Sequence, residues 1–205
     1  MALCQSIALT NTTQVERTSL MKKKLSMLMC AVAALTMMAS AAMAQDNPMV
    51  GGAPMMKTMD IIDNAVNSAD HTTLVAAVKA AGLVETLKSK GPFTVFAPTN
   101  AAFDKLPAGT VGTLVKPENK DMLSKILTYH VLAGKFDSKA IAKKIKKGRG
   151  TAQFKTVSGD TLTARMNGNW LVLTDEKGGT STVSIANVYQ SNGVIHVVDT
   201  VLMPN

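Results

Sequence analysis

The chain has 205 residues, 46% of them hydrophobic, 4% aromatic and 18% charged, with a formal net charge of +8. That length fits one domain with flanking segments and is enough to bury a core built mainly from aliphatic side chains. The two cysteines, Cys4 and Cys30, both lie near the N-terminus, which excludes a disulfide scaffold or a thiolate metal site in the rest of the chain.

Residues 21–44 read as an export signal. Met21-Lys22-Lys23-Lys24 is a positive leader, Leu25 to Met38 is apolar and uncharged, and Ala42-Met43-Ala44 is a small-x-small cleavage site. Cleavage after Ala44 makes Gln45 the mature N-terminus. The apolar run is shorter than the roughly 20 residues a bilayer span needs. Residues 1–20 are polar and precede the leader, so Met21 is read as the true start and 1–20 as an upstream start error. Cys30 does not suit a lipoprotein, because Met29 stands where a small residue is expected and the apolar run continues past it. The mature chain, without a thiol, then carries 18 basic and 13 acidic residues, a net charge of +5. Residues 45–57 hold Pro48, Gly51, Gly52 and Pro54 and read as a flexible linker, with the folded domain over 58–205.

The first half of that domain has helical period. Met59, Ile62, Ala65 and Val66 form one stripe; Leu74, Val75, Val78, Leu83, Val84 and Leu87 continue another, interrupted at Gly82. Ser68 or Asp70 is a candidate cap for the second helix. Phe93 to Pro98 reads as a short buried strand. Asn100 can cap a short helix carrying Ala101, Phe103 and Leu106, and Met122, Leu123, Ile126 and Leu127 form a further stripe leading into Tyr129-His130. Ser138 can cap a last helix, with Ile141 and Ile145 on one face and lysines on the others. The second half changes to β-like runs at Ala152–Val157, Thr161–Met166, Trp170–Thr174, Thr182–Val188 and Val194–Leu202. They are separated by turn signals, among them Asn167-Gly168 and Asn192-Gly193. Helices followed by strands, without an internal repeat, predict an α+β domain with an antiparallel sheet.

Three segments, in order, resemble the fasciclin domain family: Thr94-Val95-Phe96-Ala97-Pro98-Thr99-Asn100-Ala101-Ala102-Phe103, the pair Tyr129-His130, and Asn192 to Pro204 (NGVIHVVDTVLMP). The resemblance covers about residues 58–204. It implies a wedge or sandwich of about seven antiparallel strands packed with several helices. It also implies extracellular adhesion or ligand binding without catalytic machinery or cofactor. In animal members the tyrosine-histidine region is associated with integrin binding, which maps onto Tyr129 and His130 by position alone.

Tyr129 and His130 are therefore candidate contact residues. The competing reading places both in the core, with the His130 ring bonded to backbone or to Thr99 or Asn100. His196 and Asp199 are three apart in a strand and point to opposite faces, which rules out a direct dyad within it. The three histidines do not cluster at metal-ligand spacing, and neither a nucleophile elbow nor a phosphate loop is present. The unusual surface is basic: Lys139, Lys143, Lys144, Lys146, Lys147 and Arg149 lie on and just beyond one predicted helix. Either this is a solubilising face or it binds an anionic partner. Nucleic acid does not suit an exported chain without aromatic platforms, and membrane insertion does not suit a helix whose apolar stripe is already needed for packing. The resulting expectation is a secreted or periplasmic binding or adhesion module for a cell-surface or matrix protein or an anionic polysaccharide. The alternative is a carrier of a small hydrophobic ligand between helices and sheet.

Overall fold

The computed structural model of the protein describes residues 47–205. The upstream segment, the export signal, its cleavage site and both cysteines lie outside the described residues.

The segment expected to be a flexible linker is, from Asn47 onward, part of the packed unit. Met49–Val50 (β1) and Ala53–Pro54 (β2) pair antiparallel around Gly51 and Gly52, both at positive φ. Val50 and Met55 are buried. The Asn47 side chain accepts from the Tyr189 amide and donates to the Tyr189 carbonyl. The glycines encode a tight turn here, and the apolar residues beside it supply the reason to dock.

Among the described residues there are seven α-helices, six on the expected stripes and one, Thr110–Leu114, that the sequence pattern does not predict. Ile61–Asn67 (α1) is capped by Asp60, which accepts from the Asp63 amide. Thr72–Ala81 (α2) stops at Gly82, φ +74°. Neither Ser68 nor Asp70 caps α2: the Ser68 hydroxyl is bonded to His71 Nδ1, and Asn100 Oδ1 accepts from the Thr73 amide 27 residues upstream. Val84–Lys88 (α3) is short. Asn100–Asp104 (α4) is capped by Thr99, not by Asn100, whose side chain is committed to α2. Thr110–Leu114 (α5) and Lys120–Tyr129 (α6) follow. Ser138–Lys147 (α7) is capped by Asp137, which accepts from the Ala140 amide, while Ser138 is bonded to Asn187.

Phe93–Pro98 (β3), Val131–Ala133 (β4), Thr151–Lys155 (β5), Thr161–Asn167 (β6), Trp170–Thr174 (β7), Thr180–Tyr189 (β8) and Gly193–Val198 (β9) form one sheet in the order β4-β3-β9-β8-β7-β6-β5. All pairings are antiparallel except β3 with β9, which is parallel. A bridge between Leu132 and Thr156 and a bond from the Val157 amide to the Val131 carbonyl join the two outer strands, so the sheet nearly closes on itself. Near-closure leaves little strand edge unpaired. The fold is thus α+β with a mostly antiparallel seven-stranded sheet.

β9 is buried along its whole length. Alternate residues serve two cores. Ile195 and Val197 pack with α1, α2 and α6, whereas Val198 packs inside the sheet with Phe96, Leu132, Leu173 and the α7 residues Ile141 and Ile145. The run expected to be strand up to Leu202 ends at Val198. Asp199 there turns back, its amide donating to the Thr182 carbonyl and its carboxylate accepting from the Thr182 amide.

Candidate binding surface

Tyr129 and His130 end α6 and turn into the interior. Tyr129 is 0% exposed and donates its hydroxyl to the Thr161 carbonyl at 2.9 Å. Burial, with weaker help from Asp175 and Glu176, pushes its pKa up to about 12. His130 is 3% exposed. Its Nδ1 donates to the Ile126 carbonyl at 2.9 Å, and its Nε2 accepts from the Leu202 amide at 3.1 Å. Those two bonds specify the tautomer, and desolvation lowers its pKa, which keeps the ring neutral. Of the partners expected for it, the backbone is the one used, while Thr99 and Asn100 are engaged elsewhere. The ring ties the end of α6 to the chain segment after β9, so neither residue presents a surface to a partner.

His130→Ala is therefore expected to leave the Leu202 amide unpaired and to open a cavity, costing about 1–3 kcal/mol for the orphaned group alone. Thermal melting checks this, and an unchanged melting temperature contradicts the structural role.

His196 is fully buried, with Nε2 donating to the Phe136 carbonyl at 2.9 Å and its ring stacked on Phe96. Asp199 instead faces Thr182, Thr200 and Lys105, so the two form no catalytic pair. Among the described residues no three potential metal-ligating side chains come together. The apolar cavity between the helices and the sheet, lined by Ile62, Val78, Val95 and Leu127 among others, measures about 30 Å³. Small-ligand sites usually run from about 300 Å³ upward, so a carrier finds no chamber there.

The basic residues lie on α7 and its C-terminal turn. Ile141 and Ile145 are buried, and Lys139, Lys143, Lys144, Lys146, Lys147 and Arg149 are all exposed. None of the six forms an ion pair with a described carboxylate; the pairs present involve Lys88, Lys105 and Lys116. Asp137, the nearest acid in sequence, is engaged as the α7 cap. Lys144 differs from the rest: its Nζ sits 4.5 Å from the Phe136 ring centroid and 4.8 Å from that of Phe154, an edge-to-face aromatic pair. It covers the core as well as carrying charge. A link not legible from the sequence positions this helix. Asn187, at φ +63° where β8 is irregular, accepts from the Ser138 amide and donates to the Ser138 hydroxyl.

Beside the start of α7 runs an open groove of about 390 Å³, lined by Lys139 and Ala142 on the helix, Met166, Asn169 and Trp170 at the β6–β7 turn, and Ser184 on β8. Trp170, the single tryptophan, is 59% exposed.

A family model described as Fasciclin domain matches residues 69–204. The chain is 44% identical over 160 residues to protein sll1483 of Synechocystis sp., covering 78% of this chain and 82% of that one. It is 40% identical over 145 residues to immunogenic protein MPB70 of Mycobacterium bovis, covering 68% of this chain and 66% of that one. Its structure resembles that of a FAS1 domain pair from the insect cell adhesion molecule fasciclin I, with a TM-score of 0.62 at 19% identity, covering 71% of this chain and 51% of that one. Among the described residues no helix is long and apolar enough to cross a membrane.

Proposed function

The chain belongs to the fasciclin domain family, and on that premise we propose that it is a non-catalytic binding module acting outside the cytoplasm, secreted or periplasmic, that recognises an anionic polysaccharide through α7. The observation that carries this reading is the set of six exposed cations on and beside one helix, none paired with a described carboxylate. A purely structural surface tends to intersperse both signs. Ile141 and Ile145 anchor the opposite face, so the charges are held towards solvent. Their reach is about 8 Å at physiological salt.

Heparin tests the reading. Binding of the purified chain is expected to weaken steeply as salt rises. Changing Lys143, Lys146 and Lys147 to Gln removes three cations and spares Lys144 and its aromatic contacts. At about 1 kcal/mol for each lysine near an anionic surface, the affinity should fall roughly a hundredfold. The melting temperature should hardly change, since exposed substitutions usually stay within about 0.5 kcal/mol. A triple variant that binds heparin like the wild type removes α7 from the binding surface.

A further inference from the structure

We propose that the groove between α7 and the β6–β7 turn is a subsite for one acidic sugar ring of that polysaccharide, with the ring on Trp170 and its acid group at Lys139. The inference rests on the anionic-polysaccharide reading and adds to it a place and a ring-shaped ligand.

Trp170 is the largest aromatic side chain in the protein, and it is 59% exposed rather than packed in the core. Its indole lines an open groove rather than standing alone on a flat surface, and exposed tryptophan is enriched where a protein surface is covered on binding. The C–H face of a pyranose is apolar and weakly positive, and it complements the negative face of an indole. Met166, 41% exposed, extends the apolar side of the groove. The polar groups needed to orient a sugar stand alongside. The Asn169 side chain has no hydrogen-bond partner among the described residues, and the Ser184 hydroxyl, which donates to the Val197 carbonyl, lines the wall with its oxygen as an acceptor. At about 390 Å³ the groove falls within the range of small-ligand sites.

Charge selects the occupant. Lys139 lines the groove, Lys143 stands one helical turn further along α7, and no carboxylate is among the lining residues. A second copy of this chain brings the same positive face and is disfavoured. A neutral sugar stacks on Trp170 but leaves Lys139 unpaired. A carboxylated or sulfated ring satisfies both.

The single tryptophan makes the test direct. Oligogalacturonate should change the Trp170 emission saturably, whereas maltohexaose at equal concentration should not. Inorganic polyphosphate should bind the basic helix with the emission unmoved. By calorimetry, Trp170→Ala should weaken oligogalacturonate binding about tenfold or more, the usual loss when an anchoring aromatic is removed, and leave polyphosphate binding unchanged. Trp170→Phe should recover part of the loss. Because the side chain is exposed, melting of both variants should match the wild type. If Trp170→Ala binds oligogalacturonate as the wild type does, the groove is not the subsite and the basic-helix reading stands alone. The subsite fails in the same way if the wild type binds polyphosphate but not oligogalacturonate. If the wild type binds neither polyanion, the basic-helix reading and the subsite fall together.

Discussion

Stability is expected to fall steadily as the pH drops below about 6.5, the pKa of an unperturbed histidine. His71, His130 and His196 are all buried, and desolvation is the main cause that lowers the pKa of each. Backbone bonds and neighbouring carboxylates oppose that shift without overcoming it. The folded chain thus keeps three neutral rings at pH values where the unfolded chain has already protonated them. The unfolded state then binds more protons, so the free energy of unfolding rises with pH and the stability present above 6.5 is lost below it. Each ring adds to the slope, by at most about 1.4 kcal/mol per pH unit while it stays neutral in the fold and is protonated in the unfolded chain. Asp199 acts in a lower window. Desolvation raises its pKa, but bonds from Thr182 and Thr200 and the Lys105 charge outweigh that and lower it overall. Its contribution is lost only as the pH falls through and below the ordinary carboxylate range. Urea titrations at pH 7.5 and 5.5 measure the effect, and a flat profile between them contradicts neutral burial of the three rings.

Gly193→Ala is expected to be the most damaging small substitution in the sheet. Gly193 opens β9 and lies in register with Phe93 of β3. A Cβ there overlaps the Phe93 carbonyl and touches the end of the Ile61 side chain. The obstacle is backbone, which cannot rotate aside as a side chain can. The neighbouring bonds hold it in place, since the Asn192 carbonyl accepts from the Phe93 amide and the Asn192 side chain bridges Ile61, Leu87 and Ser89. Overpacking a core typically costs about 1–3 kcal/mol, and displacing a central strand belongs at or above the top of that range. The melting temperature should drop by about 10 °C for a domain of this size. Gly112→Ala is the control. Gly112 sits within α5, and its added methyl meets nothing within 4 Å. That change should be neutral or stabilise by up to about 1 kcal/mol. Equal melting of Gly193→Ala and wild type would remove the close approach from the account.

The candidate surface divides into legible and hidden parts in the same way. The lysines at 139, 143, 146 and 147 follow from helical spacing around Ile141 and Ile145, and the structure exposes them. Lys144 reads as one more surface charge until Phe136 and Phe154, from other segments, are seen beneath it. Trp170 is legible as a strand residue only, because nothing local reveals that it stands exposed in a groove beside the start of α7.

Period and turn chemistry in the sequence determined the helical first half, the run Phe93–Pro98, the Trp170–Thr174 strand and the break at Gly82. These depend on side chains within a few residues of each other, where helical and extended spacing leave distinct patterns. Tertiary structure alone decided the parallel pairing of β3 with β9, the docking of Asn47 on Tyr189 and the capping of α2 by Asn100. It also decided the closure of His130 onto Leu202 and the tie from Asn187 to Ser138. Each joins a polar group to a partner 27 to 142 residues away. Buried polar groups must be paired, but which remote group pairs them is settled by how the two cores pack, and sequence spacing carries no record of that.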